Sequence, residues 1–544
     1  MVRSKANSIR RRAATSLRCQ GEVRNPRVTL AWWQAMIRQL TWLETERQEG
    51  VAKKAGRAGP QVSGAAVRAF MVPQRQEAAR SAESKAASRD GRQEGRSVSE
   101  TTGQSGSEVP VVPARATQGA ETHGGEWRWV EATVWSERML AALANGVKGG
   151  KWFSLIDKVY RQETLKAAWD KVRENGGAAG VDGQSVKRFG LRAEVYLAEL
   201  EQALKSGEYR SEPIKRVEIP KGGGKLRPLG IPAVKDRIVQ TALKLVIEPI
   251  FEREFEESSY GFRPQRSCKD ALREVDDLIK QGYTQVVDAD LESYFDTIPH
   301  VALMREIEER ISDGRVLSLI EQFFSQDIIQ EMKRWTPTEG TPQGAVISPL
   351  LANIYLHPLD RQMKQQGYRM VRYADDFVVL CRTAQQAQGA LEEVKSWVER
   401  NGLGLNADKT HVGDCQQAGQ GFEFLGYRFE AGRRFVRRKS LKALRERIRI
   451  KTKRTRGDSL AKIIADLNPM LRGWFNYFKH AHSVTQLGID GFARRRLRAL
   501  LRKQEKRPGM GRCFSDHRRW PNTFFATQGL FTITAAHGLA SQSR

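Results

Sequence analysis

The chain has few of the residues that would staple it, anchor it or make it acidic. Cysteine occurs five times in 544 residues, as Cys19, Cys268, Cys381, Cys415 and Cys513, with no two within four positions of each other. That spacing excludes a CxxC zinc knuckle and argues against a disulfide framework, so a reducing compartment fits. No apolar run reaches the roughly 18 residues that a spanning helix needs. The best stretch, Ala345 to Leu356, is interrupted by Ser348, Pro349 and Asn353. The N-terminus has no secretory apolar core, which argues against export. Acids are the minority charge: 63 Asp and Glu stand against 91 Lys and Arg, a net of +28. A chain this basic calls for a polyanionic partner, nucleic acid first and an anionic membrane surface second. Hydrophobic residues, at 40 %, suffice for sizeable cores.

The charge is unevenly spread. Residues 1–126 carry a net +9, residues 127–430 a net −3 and residues 431–520 a net +21. A near-neutral block followed by a strongly basic one suggests a catalytic module with a separate polyanion-gripping module behind it. Residues 45–125 repeat Ala, Arg, Gln, Glu, Gly and Ser with little apolar periodicity, so the basic extension 1–126 reads as mostly disordered. Within it, Leu30 to Leu43, with Trp32, Trp33 and Trp42, has the pattern of one short amphipathic helix. The first residues are rich in Arg, Ser and Ala with no acid before Glu22, the composition of an organellar transit peptide; a basic arm or translated upstream sequence are the alternatives. Helical periodicity begins near Trp127, where the folded part is expected to start.

Two segments of the near-neutral block carry candidate chemistry. In the first, Val286 and Val287 begin a strand that delivers Asp290 and then turns into a helix. In the second, Asp375 and Asp376 lie between two apolar runs, the pattern of a β-hairpin with the acidic pair at its tight turn. Adjacent carboxylates among apolar strands are costly, because like charges repel and desolvation disfavours both ions. A divalent cation removes that penalty, and hard oxygen ligands with no nearby His or Cys favour Mg²⁺ over Zn²⁺. Three carboxylates converging from two hairpins would hold two ions about 3.5–4 Å apart, which activates a 3′ hydroxyl and stabilises a leaving pyrophosphate. An acidic pair by itself is more often an exposed turn; here the surrounding motifs decide.

Tyr373-Ala374-Asp375-Asp376 resembles the YxDD box of reverse transcriptases, and the text around it resembles the proteins encoded by group II introns. In order along the chain come Gly180-Val-Asp-Gly183, Ile219-Pro-Lys221, Lys225-Leu-Arg227-Pro228-Leu-Gly230-Ile-Pro232, Asp236-Arg237-Ile-Val-Gln240 and Ser259-Tyr260-Gly261-Phe262-Arg263-Pro264. Asp290 with Phe295-Asp296, Gly340-Thr-Pro342-Gln343-Gly344, Ser348-Pro349-Leu350, Leu405-Asn406 with Lys409-Thr410, and Phe424-Leu425-Gly426-Tyr427 complete the set, which covers about residues 150–430. The resemblance implies that Asp290 and Asp375 bridge two Mg²⁺ ions, with Asp376 a ligand or an electrostatic support beside them. It implies dNTP contacts from Lys225, Arg227, Phe295, Gln343 and Lys409. Phe295 matches the bulky residue that screens the sugar 2′ position, with core packing as the plain alternative. Arg227 is the best match for a cation on the triphosphate, and Lys221 or Lys225 could supply the second from the Gly-rich hairpin. Gln343 would lie beside the templating pair.

Residues 431–503 alternate basic and apolar at helical spacing, which predicts a small bundle with cationic outer faces. Arg437, Arg438, Arg447, Arg494, Arg495, Arg496 and Arg498 are the expected RNA contacts. Gly473-Trp474-Phe475-Asn476-Tyr477 resembles the maturase thumb of intron-encoded proteins, its aromatics read as core. Residues 504–544 read as a basic tail, without the HNH endonuclease that some relatives carry. The expected architecture is α+β. A right-hand polymerase occupies 127–430, with fingers and an antiparallel palm sheet, and a helical thumb/maturase region occupies 431–503. The resemblance implies an RNA-directed DNA polymerase that also binds its intron RNA to assist splicing and serves retrohoming by target-primed reverse transcription. Its partners would be group II intron RNA, target DNA, an RNA template–primer and dNTPs, with no membrane, and a dimer stays open. A bacterial cytoplasm is the expected location, a mitochondrion the alternative. Two other readings stay open: a splicing cofactor without polymerase activity, against which Asp290, Asp375 and Asp376 argue, and a reverse transcriptase with a defence or diversification role, against which the thumb motif argues.

Overall fold

Strand alternation and helix capping lay out the chain much as its patterning predicts. A computed structural model describes residues 127–147, 149–222 and 225–542. The disorder expected for 1–126, the Leu30–Leu43 helix and the transit-peptide reading lie outside the described residues, as do the side chains of Lys221 and Lys225. The described strands are β1 Ile214–Gly222, β2 Lys225–Ile231, β3 Gln285–Asp290, β4 Ile328–Gln330, β5 Lys333–Trp335, β6 Arg369–Tyr373, β7 Asp376–Cys381, β8 His411–Asp414, β9 Phe422–Phe424, β10 Tyr427–Glu430 and β11 Arg433–Val436. They form three sheets, ordered β2-β1-β4-β5, β6-β7-β3-β8 and β11-β10-β9.

The first sheet builds the fingers. β1 and β2 form the antiparallel hairpin expected around the Gly-rich turn, and β1 pairs in parallel with the distant β4 at Ile214↔Ile328. The helix Val234–Glu252 is buried along most of its length, the polar Asp236, Arg237 and Gln240 included. The second sheet is the palm, antiparallel throughout. Val286, Val371, Val378 and Leu380 go into one core with Ala271, Leu272, Val275 and Leu278 of the helix Cys268–Lys280. A capping box starts that helix: Ser267 accepts from the backbone of Asp270, whose carboxylate accepts from the backbone of Ser267.

The third sheet leads into the thumb helices Arg438–Lys451, Leu460–Phe478 and Val484–Gln504. These bury Leu444, Ile448, Ile463, Leu467, Leu471, Phe475, Leu497 and Leu500 together. Two expectations need correction here. Residues 504–542 are not a loose tail: Trp520, Phe525, Leu530 and Ile533 complete the same core, Phe525 and Ile533 from the helices Asn522–Thr527 and Ile533–Gln542 and Trp520 and Leu530 from the segments between the helices. The carboxylate of Asp490 accepts from the backbone N–H of Ile533 and Thr534 at 2.9 Å each, capping the last helix from a distance. Nor is Arg498 an outer-face cation. It is 2 % exposed, its Nε donates to the Trp520 carbonyl and its Nη2 to Asn522 Oδ1, both at 2.9 Å, and its guanidinium lies over the Phe525 ring. Its burial takes it off the outer face of the bundle. Arg438 and Arg447 are exposed, and Arg494, Arg495 and Arg496 are half-buried. Arg495 and Arg449 flank the Phe492 ring, while Arg496 donates to the hydroxyl and carbonyl of Thr452.

Removing Arg498 strands the carbonyl and amide that it serves. Arg498→Ala should destabilise the thumb by about 2–4 kcal/mol, against less than about 0.5 kcal/mol for exposed Arg447→Ala. Urea melts of the two variants check this; equal costs would return Arg498 to the surface.

Candidate active site

The palm sheet brings the three predicted acids together by register. β3 lies between β7 and β8, and Asp290 pairs directly with Asp376 across β3 and β7. Tyr373 and Asp376 close the β6–β7 hairpin, so the two-residue turn is Ala374-Asp375. The expected arrangement is therefore adjusted in two ways. Only Asp375 is in the turn, with Asp376 the first residue of β7, and Asp290 comes from a central strand rather than from a second hairpin. Ala374 adopts φ +61°, the left-handed conformation that tight hairpin turns demand.

The acids crowd one another. Burial, then the charges of Asp288, Asp375 and Asp290, push the Asp376 carboxyl up to about 7, with Arg437 pulling the other way. Asp288 was not anticipated. It lies two residues before Asp290, on the same face of β3, and burial raises its carboxyl to about 6. Its Oδ2 accepts from the backbone of Glu423 at 3.3 Å, and His411 Nε2 stands 4.0 Å away. The Asp-x-Asp spacing alone would have flagged it. Arg437 also differs from expectation. It is not part of an outward RNA row but stands at the start of the thumb near the acids, with its Nε 3.6 Å from Glu423 Oε2.

Of the other predicted residues, Lys409 reaches this cluster, and Arg227 and Gln343 are joined to each other and to Asp296. Lys409 Nζ lies 2.5 Å from Asp290 Oδ2. Arg227 Nε donates to Gln343 Oε1 at 2.9 Å, and Gln343 Nε2 donates to Asp296 Oδ2 at 3.0 Å, which ties the fingers hairpin to the acid beside Phe295 in the short helix Tyr294–Thr297. The Gly340–Gly344 loop can pass here only because it has no side chain at either end. A Cβ on Gly340 would come within 2.7 Å of the Asp296 backbone, and one on Gly344 within 2.4 Å of the Gly230 carbonyl; both residues have positive φ. Phe295 is buried edge-on against Tyr294, ring centroids 5.6 Å apart. Side-chain placement of Lys225 lies outside the described residues.

Asp376 resists ionisation first because it is buried and then because Asp288, Asp375 and Asp290 lie near, and hard carboxylate donors of this kind are the type that a divalent cation takes. The fold and this cluster define the palm of a reverse transcriptase, and the family model for reverse transcriptase (RNA-dependent DNA polymerase) matches residues 219–429. The protein is an RNA-directed DNA polymerase, and divalent metal ions are general in its family. A second model, the group II intron maturase-specific domain, matches residues 441–520 and implies an intron RNA partner. Protein YkfC of Escherichia coli is 39 % identical over a match covering 46 % of this chain and 75 % of YkfC. The group II intron-encoded protein LtrA of Lactococcus lactis is 36 % identical, covering 38 % of this chain and 34 % of LtrA. An uncharacterized 91 kDa protein in the cob intron of Schizosaccharomyces pombe is 36 % identical over 38 % of this chain and 25 % of its own length. The chain belongs to the group II intron-encoded reverse transcriptase/maturase family. Among the described residues no helix is long and apolar enough to cross a membrane.

Raised carboxyl groups have a sign. Asp376, Asp288 and the buried Asp236 of the fingers, itself raised to about 6, bind protons more tightly folded than unfolded. Their contribution to stability is full below the ordinary carboxylate pKa of about 4 and is lost as pH rises towards 7. In a chelator the melting temperature should therefore fall from pH 5 to pH 8. Asp376→Asn should flatten that fall, and a divalent cation should reverse it at the upper end. An identical pH slope in wild type and Asp376→Asn would remove the crowding argument.

Proposed function

We propose that Asp290 and Asp375 hold two Mg²⁺ ions at which the chain extends a DNA primer on an RNA template, with Asp376 supporting them. The observation that carries this reading is the Asp290↔Asp376 register with Asp375 in the adjoining turn. Bound there, the ions lower the pKa of the primer 3′ hydroxyl and offset charge on the leaving group. The 3′ hydroxyl loses its proton to solvent and its oxygen forms a bond to the α-phosphorus of the dNTP while the α–β bridging P–O bond breaks and pyrophosphate departs. Arg227 faces the triphosphate from the fingers, held by Gln343, which is itself anchored on Asp296. Lys225 is the second cation of that hairpin in this reading. Phe295 supplies the wall beside the sugar, and Lys409 exchanges its contact with Asp290 for the incoming phosphates as the site fills. Asp375→Ala should abolish primer extension on an RNA template and leave RNA binding within about twofold. Extension near the wild-type rate would remove the assignment.

The thumb is the grip on intron RNA in this proposal, and the same chain serves splicing and target-primed retrohoming, with target DNA as the second nucleic acid. Support comes from polymerase and maturase matches on one chain and from the net +21 of residues 431–520. The bacterial relatives favour a bacterial cytoplasm. Cutting the chain after Glu430 is an unsuitable test, because Val436, Phe478 and Ala481 belong to the palm core. Replacing exposed Arg438, Lys439, Lys442 and Arg447 with Gln leaves that core intact. The four changes together should weaken binding of structured intron RNA and lower the slope of log K against log salt by up to about 3, at roughly 0.7–0.9 per phosphate contact. An unchanged slope in filter-binding titrations would place the grip elsewhere.

A further inference from the structure

The turn that carries Asp375 is held from beneath by charged side chains with no access to water. Arg372, the fourth residue of β6, is 0 % exposed, and so is Asp360 of the helix Ser348–Gln365. Their contact is bidentate: Arg372 Nε donates to Asp360 Oδ1 at 2.8 Å and Nη2 to Oδ2 at 2.5 Å. Arg372 Nη1 donates twice more, to Asn353 Oδ1 at 2.9 Å and to the Ala374 carbonyl at 3.0 Å. Asn353 lies two turns before Asp360 on the same helix face and passes the link on, its Nδ2 donating to the Gly261 carbonyl at 2.8 Å. Gly261 sits directly under the turn, where a Cβ would come within 2.2 Å of the Ala374 nitrogen. The backbone of the same loop pairs with β6: Tyr260 N–H donates to the Arg372 carbonyl at 2.8 Å, and Arg372 N–H to the Ser258 carbonyl at 2.9 Å.

A single guanidinium thus ties a helix to the acidic turn in fixed directions, and Asn353 and the Arg372 backbone extend the link to the loop. Stability does not account for the arrangement, because a buried ion pair seldom outperforms apolar residues of the same volume. Direction does. Three hydrogen bonds to Asp360 and Asn353 hold the planar fork, a fourth from it fixes the Ala374 carbonyl, and Ala374 is the left-handed residue just before Asp375. We propose that Arg372, Asp360 and Asn353 are positioning residues of the polymerase reaction. They set the place of the Asp375 carboxylate without touching substrate, and so govern kcat and not the binding of dNTP or primer–template. The proposal rests on the reading of Asp375 as a catalytic carboxylate.

The test replaces the pair without leaving a lone buried charge. Arg372→Met combined with Asp360→Leu should keep primer–template Kd and dNTP KM within about threefold. The same variant should lower kcat by about 10- to 100-fold, as a displacement of about 1 Å at a reacting group does. Each enzyme is assayed well below its own melting temperature. Asn353→Ala, which leaves the ion pair in place, should lower kcat in the same sense by a smaller factor, and it decides the matter if the double variant does not fold. Parental kcat in a folded double variant, or in Asn353→Ala, overturns the proposal. So does a loss shared equally between KM and kcat. Asp375→Ala in the same assay separates the two readings: if it still extends primers, the assignment of the site has failed, whereas a dead Asp375→Ala beside a fully active double variant sinks the positioning role alone.

Discussion

Asp290 and Asp376 face each other across antiparallel strands, where opposed side chains stand about 4.5–5.5 Å apart and like charges destabilise the pair. Asp375 and Asp288 are added to the same corner. Much of what surrounds the site reads as an answer to that repulsion. Lys409 meets Asp290 from the segment before β8, Arg437 reaches in from the base of the thumb, and the Asp288 carboxylate accepts a backbone N–H. The Arg372 guanidinium, which burial would discharge, is kept ionised chiefly by Asp360, with Asp375 adding to the same sense. The palm is a sheet whose strand register is unfavourable for the apo protein and useful for a protein that binds cations.

The second organising contact joins the palm to the thumb. Tyr427 donates to the Tyr477 carbonyl at 2.5 Å, and Tyr477 donates to the Leu425 carbonyl at 2.7 Å. Leu425 and Gly426 both have positive φ, so the turn between β9 and β10 is tight and is pinned by a thumb helix. Phe478 packs beside Tyr427 in the palm core. The thumb is therefore not a separate RNA-binding bead on a string, although its charge makes it look like one.

How much of this was legible depended on the type of signal. The acids, the strand before Asp290 and the β6–β7 hairpin followed from alternation and motif spacing, because strand periodicity and turn chemistry are local. Gln343 was recognisable from its motif, but its bond to Asp296 was not, since that depends on how a loop returns over the sheet. Arg498 was misplaced for a related reason. In a helix rich in arginine, charge argues for the outer face, and only the later Trp520 and Phe525 reveal that this face is covered. Those aromatics, together with Leu530 and Phe531, were the available warning that a tail so apolar has a core to join. Asp360 and Asn353 carried no signal at all, because a buried ion pair between distant segments has no pattern in one sequence.

The shared core of palm and thumb has a consequence for synthesis. Domains generally fold as units, the N-terminal part first, as the chain leaves the ribosome. Here the hydrophobic face of the palm helix Cys268–Lys280, and of Val371 and Val378, is closed by Tyr427, Phe478 and Ala481, which are translated long afterwards. Until that thumb helix emerges, the nascent palm presents an open apolar surface beside a set of mutually repelling acids. The palm core cannot be completed before Phe478 and Ala481 have been made, so palm and thumb mature together in each new molecule.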